Sequence, residues 1–98
     1  MYIVRDIFQL KFGQYKQAKA LMDEANEKNM FPKAKSQRML TDFTGDAYRM
    51  ILEQGHDNLA DYEAHLQKGM NAGDWKDWYE KFKDCIVSSH REILKQVG

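Results

Sequence analysis

The amino-acid sequence predicts an α+β fold whose strands and helices follow the order β-α-β-β-α-β. Three observations support this prediction. Segments rich in β-branched, aromatic and aliphatic residues occur four times, an apolar repeat with helical spacing follows the first of them, and further helical segments precede the last. The chain has 98 residues, of which 43% are hydrophobic, so we expect residues 1–98 to form one globular domain.

The first strand is predicted over Tyr2 to Phe12, where isoleucine, valine, phenylalanine and leucine stand among polar residues. Gly13 ends this strand. From Gln14 to about Asn29 the period changes to that of an amphipathic helix. The apolar positions of this helix are Tyr15, Ala18, Leu21, Met22 and Ala25.

A β-hairpin is predicted after this helix. The pair Phe31-Pro32 stops the helix, because proline lacks a backbone donor and disfavours a helical residue before it. Lys35 to Thr44 alternates loosely, Gly45-Asp46 offers a tight turn, and Tyr48 to Glu53 alternates again.

A second helix should begin after Asp57 or Asn58, either of which can cap it. Its apolar side carries Leu59, Tyr62 and Leu66. Gly69 weakens this helix, and Asn71-Ala72-Gly73 separates it from the next one.

The third helix has the strongest amphipathic pattern in the chain, and Asp74 is its predicted cap. Its aromatic face consists of Trp75, Trp78, Tyr79 and Phe82. At helical spacing such residues indicate core packing rather than a surface that stacks on a cofactor. The last strand follows from Cys85 to about Leu94.

This order of elements is typical of a ferredoxin-like fold, in which helices cover one face of a four-stranded antiparallel sheet. Apolar residues nevertheless occur on both faces of the predicted sheet, since Ile3 and Ile7 alternate with Val4 and Phe8 along the first strand. The open face should also carry Arg5, Gln9, Arg49 and Glu53 together with Ile51. Such a mixed face suits a second sheet, so the sequence predicts a homodimer. The alternative is a monomer with a partly apolar open sheet.

Composition argues against several classes of partner. Fifteen Lys and Arg balance fifteen Asp and Glu, and their interleaving favours neither nucleic acid nor an anionic membrane. No apolar run approaches the roughly 20 residues that span a bilayer, and Met1 to Asp6 does not resemble a secretory leader. The single Cys85 is expected to be a small buried apolar residue, and one cysteine suits the reducing cytoplasm.

His90 is the best candidate for acid-base catalysis, because it is predicted mid-strand beside serine, arginine and glutamate residues. The alternative is a hydrogen-bonded interface histidine. Asp6, Arg38 and Arg49 are candidates for lining a ligand cavity, where the arginines would bind a carboxylate or phenolate. Equally, these three residues suit cross-strand ion pairs.

No metal or cofactor is predicted. His56, His65 and His90 with Cys85 are the residue types that bind zinc, but their spacing does not suit a ligand set. Cys85 and His90 are the one close pair, and a strand would direct them to opposite faces.

Four segments resemble the dimeric α/β-barrel superfamily, in particular its NIPSNAP-like and antibiotic-biosynthesis-monooxygenase-like branches. They are Phe8 to Gly13, the Gly45 hairpin with Tyr48 to Glu53, Asn58 to Glu63, and the tryptophan helix with Ser88 to Leu94. The resemblance implies that two protomers join their sheets into a barrel with a small-molecule cavity. Haem-degrading members use an asparagine on the first strand, whereas no asparagine occurs between Tyr2 and Phe12.

Three functions fit these expectations, and they leave open whether the protein is an enzyme. The first is a homodimer that binds a small molecule in the barrel. The second is a cofactor-independent monooxygenase or isomerase acting on an aromatic or polyketide-like substrate. The third is a stress-response or protein-interaction module without a ligand. A lined pocket would favour the first two.

Overall fold

The computed structural model describes residues 1–98 and contains four strands and three helices. They are β1 (Tyr2–Leu10), α1 (Tyr15–Glu27), β2 (Ser36–Thr41), β3 (Arg49–His56), α2 (Leu59–Met70), α3 (Trp75–Lys83) and β4 (Ile86–Lys95). The order is the predicted one, and the element ends differ from the prediction by up to three residues. None of the helices has the length and apolar character needed to cross a membrane.

The strands form one sheet in the order β2-β3-β1-β4, with every neighbouring pair antiparallel. The helices cover one face of this sheet, where β3 buries Met50, Leu52 and Gln54. The other face, called the open face below, has no helix over it. The predicted ferredoxin-like α+β fold is therefore confirmed.

The hydrophobic core lies between the helices and the covered face. It contains Leu10, Ala18, Leu21, Met22, Ala25, Met30, Met50, Leu52, Trp78, Phe82 and Cys85. Cys85 has no exposed surface, and this burial raises the pKa of its thiol. It is the buried apolar residue that was predicted.

The aromatic face of α3 packs largely as predicted. Trp78 and Phe82 are buried, with ring centroids 5.0 Å apart, and the Trp78 indole donates to the Leu21 carbonyl at 2.6 Å. The prediction that Tyr79 is a core residue is wrong, because its residue surface is 45% exposed. Tyr79 lies at the border of the buried face and stacks on the half-buried Trp75, with centroids 5.7 Å apart.

The helices begin in three different ways. Asn58 caps α2, since its side chain accepts a hydrogen bond from the Asp61 backbone at 2.8 Å. Asp74 does not cap α3: it has a helical φ and no capping hydrogen bond, and its carboxylate lies 3.8 Å from the Lys28 ammonium. Helix α1 also lacks a local side-chain cap. There the Tyr48 hydroxyl accepts hydrogen bonds from the backbone of Gly13 at 2.6 Å and of Tyr15 at 3.4 Å.

Of two glycine-containing segments, one differs from the sequence prediction and one agrees with it. Residues 42–48 form a wider loop instead of a tight turn at Gly45-Asp46, and Ala47 and Tyr48 adopt φ values of 62° and 65°. Helix α2 continues through Gly69 to Met70 and ends at the predicted break, with Asn71 as its C-terminal capping residue. A Cβ atom at Gly69 would lie 2.4 Å from the Met30 carbonyl oxygen, so the missing side chain allows the backbones to approach closely.

Candidate functional site

The strand register decides which side chains lie on the open face. On β1 these are Ile3, Arg5, Ile7 and Gln9, which are paired with Gly55, Glu53, Ile51 and Arg49 of β3. The predicted grouping of Arg5, Gln9, Arg49 and Glu53 with the isoleucines is therefore confirmed. The open face combines apolar and charged side chains without a covering layer.

One row of charged residues crosses all four strands of the open face. Arg38 on β2 is paired with Glu53 on β3, which is paired with Arg5 on β1, which is paired with Glu92 on β4. We call these four residues the charged row. Its signs alternate from one edge of the sheet to the other.

Glu53 holds the centre of the charged row together. It is 7% exposed and accepts hydrogen bonds from Arg38 Nε at 2.7 Å and Arg5 Nε at 2.8 Å. Burial alone raises the pKa of this carboxyl, but the hydrogen bonds and charges of the two arginines outweigh burial, so the pKa is lowered. Glu53 therefore remains ionised at neutral pH.

A second row, called the apolar row, runs beside the charged row. It joins Leu40, Ile51 and Ile7 and ends at His90 on the β4 edge. The three aliphatic side chains are half-buried, whereas His90 is exposed. These side chains form a surface suited to packing against another layer.

The open face also contains a hollow of about 260 Å³ near Gly55. Gly55, Met1, Arg38 and Glu53 form part of its wall. The space above Gly55 itself is filled, since a Cβ atom there would lie 2.5 Å from the Ser36 hydroxyl oxygen and 2.8 Å from the Met1 sulfur. The hollow therefore offers a guanidinium and a carboxylate to a polar group, with the Met1 side chain for apolar contact.

The structure places three of the four predicted site residues on the open face. Arg38 lines the hollow, and His90 lies at the β4 edge without a hydrogen-bond partner. Arg49 donates to the Asp42 carboxylate, with Nη2 at 2.9 Å. Asp6 does not join them. Alternate residues of β1 face opposite sides of the sheet, and Asp6 faces the covered side, where it forms an ion pair with Arg91.

The structure also contains a polar cluster beneath α2 that the sequence does not predict. The Arg91 guanidinium lies 5.9 Å from the centre of the Tyr62 ring, which lies 4.9 Å from the His56 ring. Tyr62 Oη and His65 Nδ1 are buried without hydrogen-bond partners. The cluster draws residues from β3, α2 and β4, so no local motif marks it. Its one sequence signal is a tyrosine hydroxyl on the apolar side of α2.

The environment of this cluster changes the acid-base properties of two of its residues. Burial lowers the pKa of His56, and the nearby His65 lowers it further. Burial also raises the pKa of the Tyr62 hydroxyl, and the charges of Arg91 and Asp6 act on it in opposite directions. Both side chains are therefore neutral at pH 7 and able to donate or accept a hydrogen bond.

A larger pocket of about 530 Å³ lies where the end of α1 meets β2 and α2. Its charged residues are Lys33 and Lys68, and no acidic side chain lines it. None of the predicted site residues reaches this pocket. No group of three or more histidine, cysteine or acidic side chains is arranged to hold a metal ion.

Solved structures similar to this one include NIPSNAP family proteins and candidate antibiotic biosynthesis monooxygenases. A NIPSNAP family protein of unknown function from Agrobacterium tumefaciens superimposes with a TM-score of 0.85 at 14% identity, covering 98% of this chain and 87% of the other. A second NIPSNAP family protein from that organism gives 0.86 at 18% identity, with coverages of 98% and 85%. A candidate antibiotic biosynthesis monooxygenase from Nitrosomonas europaea gives 0.76 at 16% identity over the whole of both chains.

These likenesses establish the fold. The resemblance to NIPSNAP-like and antibiotic-biosynthesis-monooxygenase-like proteins is confirmed at that level. No protein-family model matches the sequence, and no curated protein matches it either.

Proposed function

We propose that the protein is a homodimeric, single-domain α/β-barrel protein of the cytoplasm that binds a small molecule inside the barrel. The observation that carries this proposal is the composition of the open face. The charged row and the apolar row lie side by side on it, and a second sheet would cover both. The monomer alternative leaves Ile7, Leu40 and Ile51 in contact with solvent.

The ligand site in this proposal is the hollow near Gly55, which a second sheet would enclose. Arg38 and Glu53 supply fixed polar groups at its wall. A mostly enclosed cavity with a few polar groups is the usual form of a small-molecule site. A ligand with an aromatic body and an acidic or phenolic group fits this chemistry, because a guanidinium binds such groups with paired N–H donors.

We expect light scattering at micromolar concentration to give twice the 11.6 kDa chain mass. The physical reason is that pairing removes the aliphatic side chains of the open face from water, which is favourable in proportion to the buried area. A monomer mass at every concentration up to the millimolar range would contradict the dimer.

A thermal-shift screen with benzoate, a naphthoquinol and haem tests the ligand site. A compound present at about 100 times its Kd stabilises the folded state by about 2.7 kcal/mol, which raises Tm by about 10 °C or more in a domain of this size. We expect Arg38→Gln to reduce this shift while the protein remains folded, because Arg38 lines the hollow. A reduction in His90→Ala would instead place the ligand along the apolar row, at the β4 edge. The control is Lys76→Gln on the exposed side of α3, which should leave the shift unchanged.

The outcomes of the screen separate the three functions. A shift that is equal in wild type and both variants would place the ligand elsewhere. If none of the compounds shifts Tm, the result favours a protein-interaction or stress-response module without a ligand.

A cofactor-independent monooxygenase or isomerase is the second candidate function. It is favoured by the polar cluster beneath α2, where a buried Tyr62 hydroxyl without a partner lies beside the neutral His56. Buried polar groups without partners are uncommon and often belong to functional sites. Oxygen uptake with a naphthol, in which one oxygen atom enters the naphthoquinone product and the other leaves as water, would support the monooxygenase form of this candidate over simple binding if it is lost in Tyr62→Phe.

A further inference from the structure

The pocket where the end of α1 meets β2 and α2, called the helix-end pocket below, is larger than the hollow of the open face. Its volume of about 530 Å³ lies within the range of small-molecule sites, about 300 to 1,000 Å³. Gln37 on β2 is the only residue that it shares with the hollow. The helix-end pocket is therefore a separate place for a ligand, and one protomer supplies all of its walls.

Two lysines give the helix-end pocket a positive charge. Lys33 and Lys68 line it, and neither forms an ion pair within the chain. Lys28 and Lys35, by contrast, lie 3.2 Å and 2.8 Å from carboxylate oxygens. Lys68 also complements the carboxyl end of α2, whereas Lys33 lies in the connection between α1 and β2, outside any helix. The pocket can therefore accept an anion without displacing a carboxylate of the protein.

One wall of the helix-end pocket consists of side-chain amides that are fixed from the core. Gln54 is 2% exposed, and its Nε2 donates to the Pro32 carbonyl at 3.0 Å and to Gln37 Oε1 at 2.8 Å. Gln37 Nε2 in turn donates to Asn26 Oδ1 at 2.8 Å. We call Gln37 and Asn26 the amide wall. Its remaining N–H donors are available to the oxygen atoms of a ligand, in positions that the buried glutamine holds.

His65 on α2 is a further polar group at this pocket. Its Nδ1 is buried without a hydrogen-bond partner. An unpaired buried nitrogen costs free energy, and native proteins contain few of them. No bond at Nδ1 fixes the tautomer of the ring, so the imidazole can serve a ligand as a donor or as an acceptor. His65 therefore points to a ligand independently of the lysines.

We propose that the helix-end pocket binds a small hydroxylated organic anion of the sugar-phosphate class, with its phosphate on the two lysines and its hydroxyl groups on the amide wall and His65. A phosphate monoester carries about −1.5 to −2 charges at pH 7, which two ammonium groups balance. The pocket is larger than a phosphate group needs, and amides bind hydroxyl groups as both donors and acceptors. This site is additional to the proposed barrel ligand and does not depend on a dimer.

Glucose 6-phosphate is a suitable probe, with glucose as the neutral control and inorganic phosphate as the anion without a hydroxylated body. Titration calorimetry at constant ionic strength gives the dissociation constants. We expect glucose 6-phosphate to bind about 10-fold or more tightly than either control, because each control lacks one half of the contacts.

The lysine variants Lys33→Gln and Lys68→Gln test the anion contacts. Both side chains are exposed, so the variants should fold as wild type does, which circular dichroism checks. We expect each of them to raise the dissociation constant for glucose 6-phosphate by about 3- to 10-fold, through loss of a charge-assisted hydrogen bond. Lys76→Gln removes the same charge from the exposed side of α3 and should leave the constant unchanged.

The three histidines of the chain report where the ligand binds. We expect glucose 6-phosphate to shift the imidazole NMR signals of His65. His56 should shift less, because it is linked to the amide wall through Gln54, whose Oε1 lies 3.4 Å from His56 Nε2. His90 lies at the β4 edge of the open face, and its signals should not change.

Several results would overturn this site. They are equal binding by wild type and both lysine variants, a shift at His90 without one at His65, and failure of glucose 6-phosphate to bind at concentrations up to about 10 mM. An equal affinity for inorganic phosphate would overturn the role of the amide wall. None of these measurements depends on the oligomeric state or on the hollow, so failure here leaves the proposed barrel ligand standing.

Discussion

Trp78→Ala is expected to lower the free energy of unfolding by about 3 to 5 kcal/mol, the range for truncating a buried large aromatic side chain. Trp78 is 6% exposed and belongs to the core cluster. The substitution leaves a cavity between α3 and the rest of the core. It also removes the indole donor from the buried Leu21 carbonyl. Chemical denaturation at pH 7 measures the loss.

Tyr79→Ala is the matched control, because it removes an aromatic side chain from the same helix. Tyr79 is 45% exposed, so we expect a loss of less than about 1 kcal/mol. A similarly small loss for Trp78→Ala would mean that the α3 face is not core.

Gly69→Ala is expected to destabilise the protein by about 1 to 3 kcal/mol, the usual cost of forcing extra atoms into a packed site. Alanine favours a helix over glycine by about 1 kcal/mol, so helix propensity alone predicts stabilisation. The clash decides the sign, because the new Cβ would meet a backbone atom, the Met30 carbonyl oxygen, at 2.4 Å. Thermal and chemical unfolding both report the change.

Gly73→Ala provides the comparison for this prediction. A Cβ atom there has no neighbour within 4 Å, and reduced freedom of the unfolded chain makes the change neutral or stabilising by a few tenths of a kcal/mol. If Gly69→Ala proved equally harmless, the close approach of α2 to Met30 would not be a constraint on the fold.

The fold was predictable from sequence because hydrophobic period and turn residues agree in most elements. The helical repeat from Tyr15 and the cap at Asn58 lie where local rules place them. The errors occur where distant contacts override those rules. Gly45-Asp46 has the composition of a tight turn, yet residues 42–48 form a wider loop in which the Asp42 carboxylate binds Arg49. Asp74 has the composition of a cap, yet its carboxylate lies toward Lys28.

The candidate site was predictable only in part, for a reason that concerns register. Alternation along each strand groups Arg5 with Ile3 and Ile7 on β1, and Arg49 with Ile51 on β3, because alternate residues share a face. Alternation along a strand does not tell which face of the sheet the helices cover. The sequence therefore groups Asp6 with Arg38, although their side chains lie on opposite faces of the sheet. Nor could the charged row be foreseen, since its four members align only when the pairing of all four strands is known.

The cap that Tyr48 provides for α1 couples two parts of the chain during folding. The first turn of α1 has no side-chain cap of its own, and the hydroxyl that satisfies its backbone donors comes from a residue 33 positions beyond Tyr15. Short helices are marginal without such contacts. The start of α1 and the loop between β2 and β3 therefore become ordered together, and a fragment that ends before Tyr48 would contain a frayed α1. This contact helps to make folding a cooperative event that spans half of the chain, rather than a stepwise growth from the amino terminus.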